Sequence, residues 1–309
     1  MYPDPVPLSQ SEIENSYGKL FDSVAHLQSR TAVLELSGGL TNKNIKVITP
    51  ERNYVARIST NESSLLAIDR KSEFENSKIA ASVGIGAEVF DFLPEQGLLV
   101  IGYLEGHTLD SLGVDMNLER IAKSCRTLHE APNFVREFNM FDIQKNYLKI
   151  VQERGFRIPS DYLEIADQIY DLERILKINA GPLVACNNDL LPGNFIDGGE
   201  KIWLIDYEYS GNNDRCFELG NIWSEAKLGL ESLEKLVTFY FQEDRPDQYA
   251  RAWLYAIFAK YGWTLWASIQ DSISTIDFDF WSWGMEKYED SRRLFGSMLF
   301  KEMVELASK

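Results

Sequence analysis

Asp189, Asn194 and Asp206 are the residues of this chain whose types and spacing most suggest chemistry. Asp189 opens the run Asp189-Leu190-Leu191-Pro192-Gly193-Asn194, and Asp206 ends the apolar run Trp203-Leu204-Ile205. Phosphoryl transfer from ATP needs one acid to take the proton of an attacking hydroxyl. It also needs an amide and a second acid to hold the magnesium ions that neutralise the phosphates. Pro192 and Gly193 form a turn, so Asp189 and Asn194 can point into one loop cavity. An Asn-rich turn before a hairpin would hold the same residues, and spacing alone leaves both readings open.

Upstream, Ser37-Gly38-Gly39-Leu40-Thr41-Asn42 lies between two β-like runs, where glycines let backbone N–H groups approach phosphates. No Gly-Lys-Ser/Thr follows, so this is not a Walker A loop, and taken alone it fits a plain hairpin turn better. Arg57 on the next strand and Glu73 early in the next helix match the cation–carboxylate pair with which kinase folds hold phosphates. An arginine facing solvent from an edge strand is the plainer reading. Downstream, Trp263 and Trp266 are spaced to share one helix face. With Tyr209 and the carboxylate of Glu225 they would make a box for a quaternary ammonium, although tryptophans in a helical region more often pack a core.

Elements able to position these residues can be read from the pattern. Residues 32–36, 45–48, 54–58, 88–92 and 97–103 read as strands of a small antiparallel sheet, with one helix over 69–83. From 105 onward the pattern changes to helices near 117–130, 160–178, 214–229, 231–242, 247–271 and 279–306, interrupted by the hairpin that carries Asp189 to Asp206. Residues 132–160 give no readable signal. The expected fold is α+β with two lobes, a nucleotide-binding lobe over 1–104 and a catalytic and substrate-binding lobe over 105–309. A ligand cleft is expected between them.

The 309 residues suffice for a sizeable core, and 45% hydrophobic with 25% charged residues is ordinary for a globular protein. A formal charge of −16 argues against a nucleic-acid partner and suits a cationic small molecule, though most of it is expected to be solvated surface. No apolar run approaches the ~20 residues of a membrane span, and no secretory signal is evident, so a cytoplasmic location is expected. Cys125, Cys186 and Cys216 show no CxxC spacing or disulfide framework, and His26, His107 and His129 show no metal-like spacing.

Taken together, Asn188-Asp189-Leu190-x-x-Gly193-Asn194 and the block from Ile205-Asp206-Tyr207-Glu208-Tyr209-Ser210-Gly211 through Arg215-x-Phe217-Glu218-Leu219-Gly220-Asn221 resemble the choline/ethanolamine kinase family. That family belongs to the aminoglycoside-phosphotransferase-like branch of the protein-kinase fold, and the resemblance runs from about Leu34 to about Arg293. It implies an ATP- and Mg2+-dependent kinase of choline or a related amino alcohol. Ethanolamine, an aminoglycoside or another small alcohol is the alternative acceptor, and a non-catalytic kinase-like binding protein the alternative of another class. The resemblance makes Asp189 the catalytic base and gives magnesium to Asn194 and Asp206. It lays Ser37, Gly38, Gly39, Thr41 and Asn42 over the phosphates, sets Arg57 with Glu73 against them, and brings adenine to Tyr103 and Leu104. Tyr209, Glu225, Trp263 and Trp266 would surround the cationic head. One departure stands out: the family carries His two residues before the base, and this chain carries Asn187. In kinase folds that His supports the catalytic loop rather than transferring the proton, and Asn can still donate and accept hydrogen bonds.

Overall fold

Alternation along a single strand decides which side chains reach the cleft. In β3 (Asn53–Ser59), Tyr54 and Ala56 pack into an apolar core, while Val55 and Arg57 face the opposite side and line a cavity. The computed structural model describes residues 7–36, 41–59 and 65–309. Its N-terminal part runs α1 (Gln10–Asp22), β1 (Ala32–Leu36), β2 (Asn42–Ile48), β3, α2 (Arg70–Ser82), β4 (Val89–Leu93) and β5 (Leu98–Gly102). The strands form a five-stranded sheet in the order β1-β2-β3-β5-β4, paired antiparallel throughout. The register sets Asn44 opposite Arg57 and Val55 opposite Ile101, so these residues share the cleft face. On the other face Ile45, Val47, Leu98 and Val100 join Ile13 and Phe21 of α1 in a closed core. Helix α2 is capped by Asp69, whose side chain accepts the Ser72 N–H.

The remainder is mainly helical: β6 (His107–Thr108), α3 (Ser111–Met116), α4 (Leu118–His129), α5 (Met140–Arg154), α6 (Ala166–Lys177) and β7 (Val184–Cys186) come first. Then follow β8 (Phe195–Asp197), β9 (Ile202–Leu204), β10 (Gly211–Asn213), α7 (Arg215–Glu225), α8 (Leu230–Phe241), α9 (Pro246–Ile273), α10 (Phe280–Phe295) and α11 (Met298–Ala307). Helix α9 is buried almost all round and forms the axis of this part, contacting α5, α7, α10 and α11. At Gly220 a Cβ would fall 2.1 Å from the Ala252 carbonyl oxygen, so α7 and α9 approach at a distance only glycine allows. This large core also takes in Leu66, Ile68, Ala80 and Ile85, which couples the segment around α2 to the helices.

The expected α+β architecture is the observed one, with differences in detail. The small lobe carries a second helix, α1, whose Ser9–Glu12 capping box marks its start. The unread stretch contains α5, opened by an Asn139 cap and ended by Gly155 at φ 65. The single helix expected over 279–306 is two, broken at Gly296, with the Ser297 side chain capping α11. The three cysteines are free and buried. Among the described residues no helix is long and apolar enough to cross a membrane.

Candidate active site

The strand register delivers Arg57 to a network of acids. Its Nη2 lies 3.1 Å from Glu73 Oε1 and 2.6 Å from Asp206 Oδ1. Arg70 extends the network, with Nη1 2.7 Å from Glu73 Oε2 and 3.1 Å from Glu208 Oε2. Glu208 also accepts from Thr41 Oγ1 and Asn42 Nδ2, each at 2.8 Å, and so bridges the sheet to the hairpin segment. Burial, then the neighbouring charge of Asp206, pushes the Glu208 carboxyl up to about 7. The plainer reading of Arg57 as a solvent-facing residue therefore does not hold: it is buried and doubly paired.

The segment between β7 and β8 is held by amides. Asp206 adopts φ 62, the left-handed region that Asp and Asn tolerate best. Asn187 Nδ2 donates to the carbonyls of Ile205 and Asp206 at 3.0 and 2.9 Å, and its Oδ1 accepts the Asp189 N–H at 3.1 Å. One side chain thus pins both acids. Asn188, at φ 68, donates through Nδ2 to the carbonyls of Cys186, Tyr209 and Gly211, and its N–H meets Glu218 Oε2 at 2.6 Å. The other Glu218 oxygen lies 3.1 Å from His129 Nε2. His129, Cys186 and Glu218 bring possible ligand atoms within 4.8 Å of one another, but all three are buried beneath the loop. There Glu218 braces the loop from below. The Asp189 carboxyl is raised well above the usual carboxylate range by burial, then by Asp206, Glu208 and Glu225, against which Lys287 acts.

Magnesium fits the donors present. Asp206 and Asn194 line the same cavity and offer hard oxygens, the ligands that ion prefers. Asn194 spends its amide nitrogen on the Asp189 carbonyl at 2.7 Å, which leaves its oxygen for a cation.

At the other end the side chains are aromatic. Trp266 Nε1 donates to Tyr209 Oη at 2.8 Å, Tyr209 meets Trp263 edge-on at 5.1 Å, and Trp266 meets Trp283 at 5.5 Å. Glu225, the last residue of α7, lies among them. It is not a lone carboxylate: Lys287 Nζ sits 2.6 and 2.8 Å from its two oxygens.

One cavity of about 710 Å³ joins both ends. It brings together Thr41, Arg57, Tyr103, Leu104, Asp189, Asn194 and Asp206 with Tyr209, Glu225, Trp263 and Trp266. Glu73 and Asn42 stand behind its wall, acting through Arg57 and Glu208. Ser37, Gly38 and Gly39 lie outside the described residues. Sequence reasoning missed Glu208, Glu218, Trp283 and Lys287. The first two lie inside the blocks quoted above, whereas the pairing of Lys287 with Glu225 has no local signal.

Comparison with known proteins agrees with this geometry. The choline/ethanolamine kinase family model matches residues 33–241. A probable ethanolamine kinase from Arabidopsis thaliana is 25% identical over 328 residues, covering 94% of this chain and 86% of that protein. Among solved structures, a choline/ethanolamine kinase family protein from Mesorhizobium loti superposes with a TM-score of 0.84 at 25% identity, covering 97% of this chain and 99% of that one. The choline kinase LicA from Streptococcus pneumoniae superposes at 0.79 with 26% identity, covering 92% and 99%. Both the matched sequence and the two-lobed architecture lead to one conclusion: the chain belongs to the choline/ethanolamine kinase family, phosphotransferases that act on small-molecule alcohols.

Proposed function

We propose that this protein transfers the γ-phosphate of ATP, with Mg2+, to the hydroxyl of choline or a closely related amino alcohol, in the cytoplasm. The observation that carries this reading is the single cavity with paired acids and an amide at one end and an aromatic, carboxylate-bearing box at the other. Residues 1–104 act as the nucleotide lobe and 105–309 as the catalytic and acceptor lobe. Adenine lies against Tyr103 and Leu104, and Thr41 belongs to the loop over the phosphates. Arg57, oriented by Glu73, contacts those phosphates. Asn194 and Asp206 hold magnesium, which when bound supplies charge neutralisation for the phosphates.

Asp189 accepts the proton of the acceptor hydroxyl. Neutralising the neighbouring carboxylates, which help raise its carboxyl, would leave Asp189 ionised and able to take that proton. The acceptor's cationic head rests among Tyr209, Trp263 and Trp266, with Glu225 nearby. Asp189, Asn194 and Asp206 all line the cavity, which supports an enzyme over a kinase-like binder.

The test is Mg2+-dependent ADP release on choline and ethanolamine, with Asp189→Ala alongside. The variant should lose at least about 10³-fold in turnover while binding ATP as the wild type does. Full activity in Asp189→Ala would sink the assignment.

A further inference from the structure

At the acceptor end of the cavity, the lining carboxylate Glu225 is already paired with an ammonium. Lys287 on α10 contacts both oxygens of Glu225 at 2.6 and 2.8 Å, and its Nζ lies 4.3 Å from the Trp283 ring centroid. The two side chains are only 12% and 14% exposed, so the pair is shielded from water and salt. Glu225 is also the last residue of α7, where the negative end of the helix dipole disfavours a carboxylate and favours a bound cation. A free substrate ammonium would therefore meet Lys287 as a like-charged competitor at Glu225.

That arrangement matters differently to different amines. A primary ammonium carries three N–H donors, each needing an acceptor, and Glu225 has both oxygens engaged. Glu208 and Asp206 are likewise engaged, by Arg70 with Thr41 and Asn42, and by Arg57. A quaternary ammonium has no N–H to satisfy and is held by ring faces, which Tyr209, Trp263, Trp266 and Trp283 supply.

We propose that Lys287 is a specificity-determining residue: by occupying Glu225 it makes the site select an N-methylated amino alcohol over its primary amine. This rests on the amino-alcohol kinase reading above. The competing explanation is a tie between α7 and α10, a role shared by the exposed ion pair of Lys227 with Glu286.

The experiment measures kcat/KM of the full chain, with ATP and Mg2+, for 2-aminoethanol and its N-methyl, N,N-dimethyl and N,N,N-trimethyl derivatives. Wild type should improve along the series. Lys287→Met frees the Glu225 oxygens and should move the trimethyl-to-primary ratio at least about tenfold toward the primary amine, the worth of one charge-assisted hydrogen bond. Lys287→Arg should keep the wild-type ratio, and so should Lys227→Met, which breaks only the helix tie. If Lys287→Met fails to fold, Lys287→Gln is read by the same ratio. A wild type that prefers 2-aminoethanol overturns the proposal outright. So does a charge-removing variant with an unchanged ratio, whether its activities are all kept or all fall together. Failure of the wild type to phosphorylate any member defeats the kinase reading instead.

Discussion

The two ends of the cavity are built on opposite principles. At the proposed phosphate end many side chains are already paired: Arg57 between Glu73 and Asp206, Glu208 between Arg70, Thr41 and Asn42, Asn187 across two carbonyls. At the proposed acceptor end ring faces line the site, and Glu225 is matched by Lys287. Hydrogen bonds fix geometry to fractions of an ångström, whereas ring faces tolerate small shifts of a bound cation. The phosphate end should therefore govern how fast the reaction runs, and the acceptor end what enters and how tightly.

Asn187→Ala probes the first half of this contrast and has the larger expected effect. It removes both donors that hold Ile205 and Asp206 and the acceptor for the Asp189 N–H. Asp206, at φ 62, then loses a contact to its own carbonyl. Misplacing reacting groups by about 1 Å costs on the order of 10²-fold, so kcat should fall by about that much while KM for the acceptor stays nearly constant. Leaving the carbonyls unpaired should also cost about 1–3 kcal/mol in urea unfolding. Asn187→His keeps one donor and should restore part of kcat. A rise in acceptor KM with kcat intact would break the comparison.

Trp266→Leu probes the other half. Leucine keeps apolar volume but removes the ring face and the bond to Tyr209 Oη. A desolvated cation–π contact is worth about 2 kcal/mol, so KM for choline should rise up to about thirtyfold with kcat little changed. KM for ATP should not move. Steady-state kinetics with each substrate varied in turn separates these outcomes, and a loss confined to kcat would show that the box positions rather than binds.

The same contrast explains what could be read from the amino-acid order. Asp189, Asn194 and Asp206 fall within one loop and the hairpin after it, so their spacing makes a shared site readable while leaving a plain turn equally open. Tyr209, Glu225, Trp263 and Trp266 come from three separate segments, and only the family resemblance favours a shared box over core packing. Trp283 and Lys287 lie on α10, which the apolar pattern merges with α11 because the break at Gly296 and Ser297 is too short to interrupt it. Helix α5 went unread because Met140, Phe141, Tyr147 and Val151 are its buried apolar residues among many polar ones, leaving a weak stripe. Pairings such as Glu218 with Asn188 depend on where helices meet, which no local pattern records.

A charge pair outside the cavity gives the smallest effect and a control for both ends. Arg120 on α4 grips Asp197 at 2.7 and 2.8 Å, fastening the outer edge of the β8–β9 hairpin that carries Asn194 and Asp206. This bond, more than any other contact, lowers the Asp197 carboxyl from 3.8 to about 2. A carboxyl depressed on folding adds stability above its unfolded value and loses it as pH falls through its folded one. The contribution should thus be present at neutral pH and fade between about pH 4 and pH 2. Because Arg120 is 35% exposed, solvent screening keeps the gain small. In urea titrations Asp197→Asn should unfold slightly earlier than wild type at pH 7, and the gap should close as the pH falls toward about 2. At neutral pH kcat and both KM values should be unchanged. If kcat fell instead, the rigidity assigned to the Asn187 and Glu218 contacts would extend along the whole hairpin, and the phosphate end would be larger than its cavity walls.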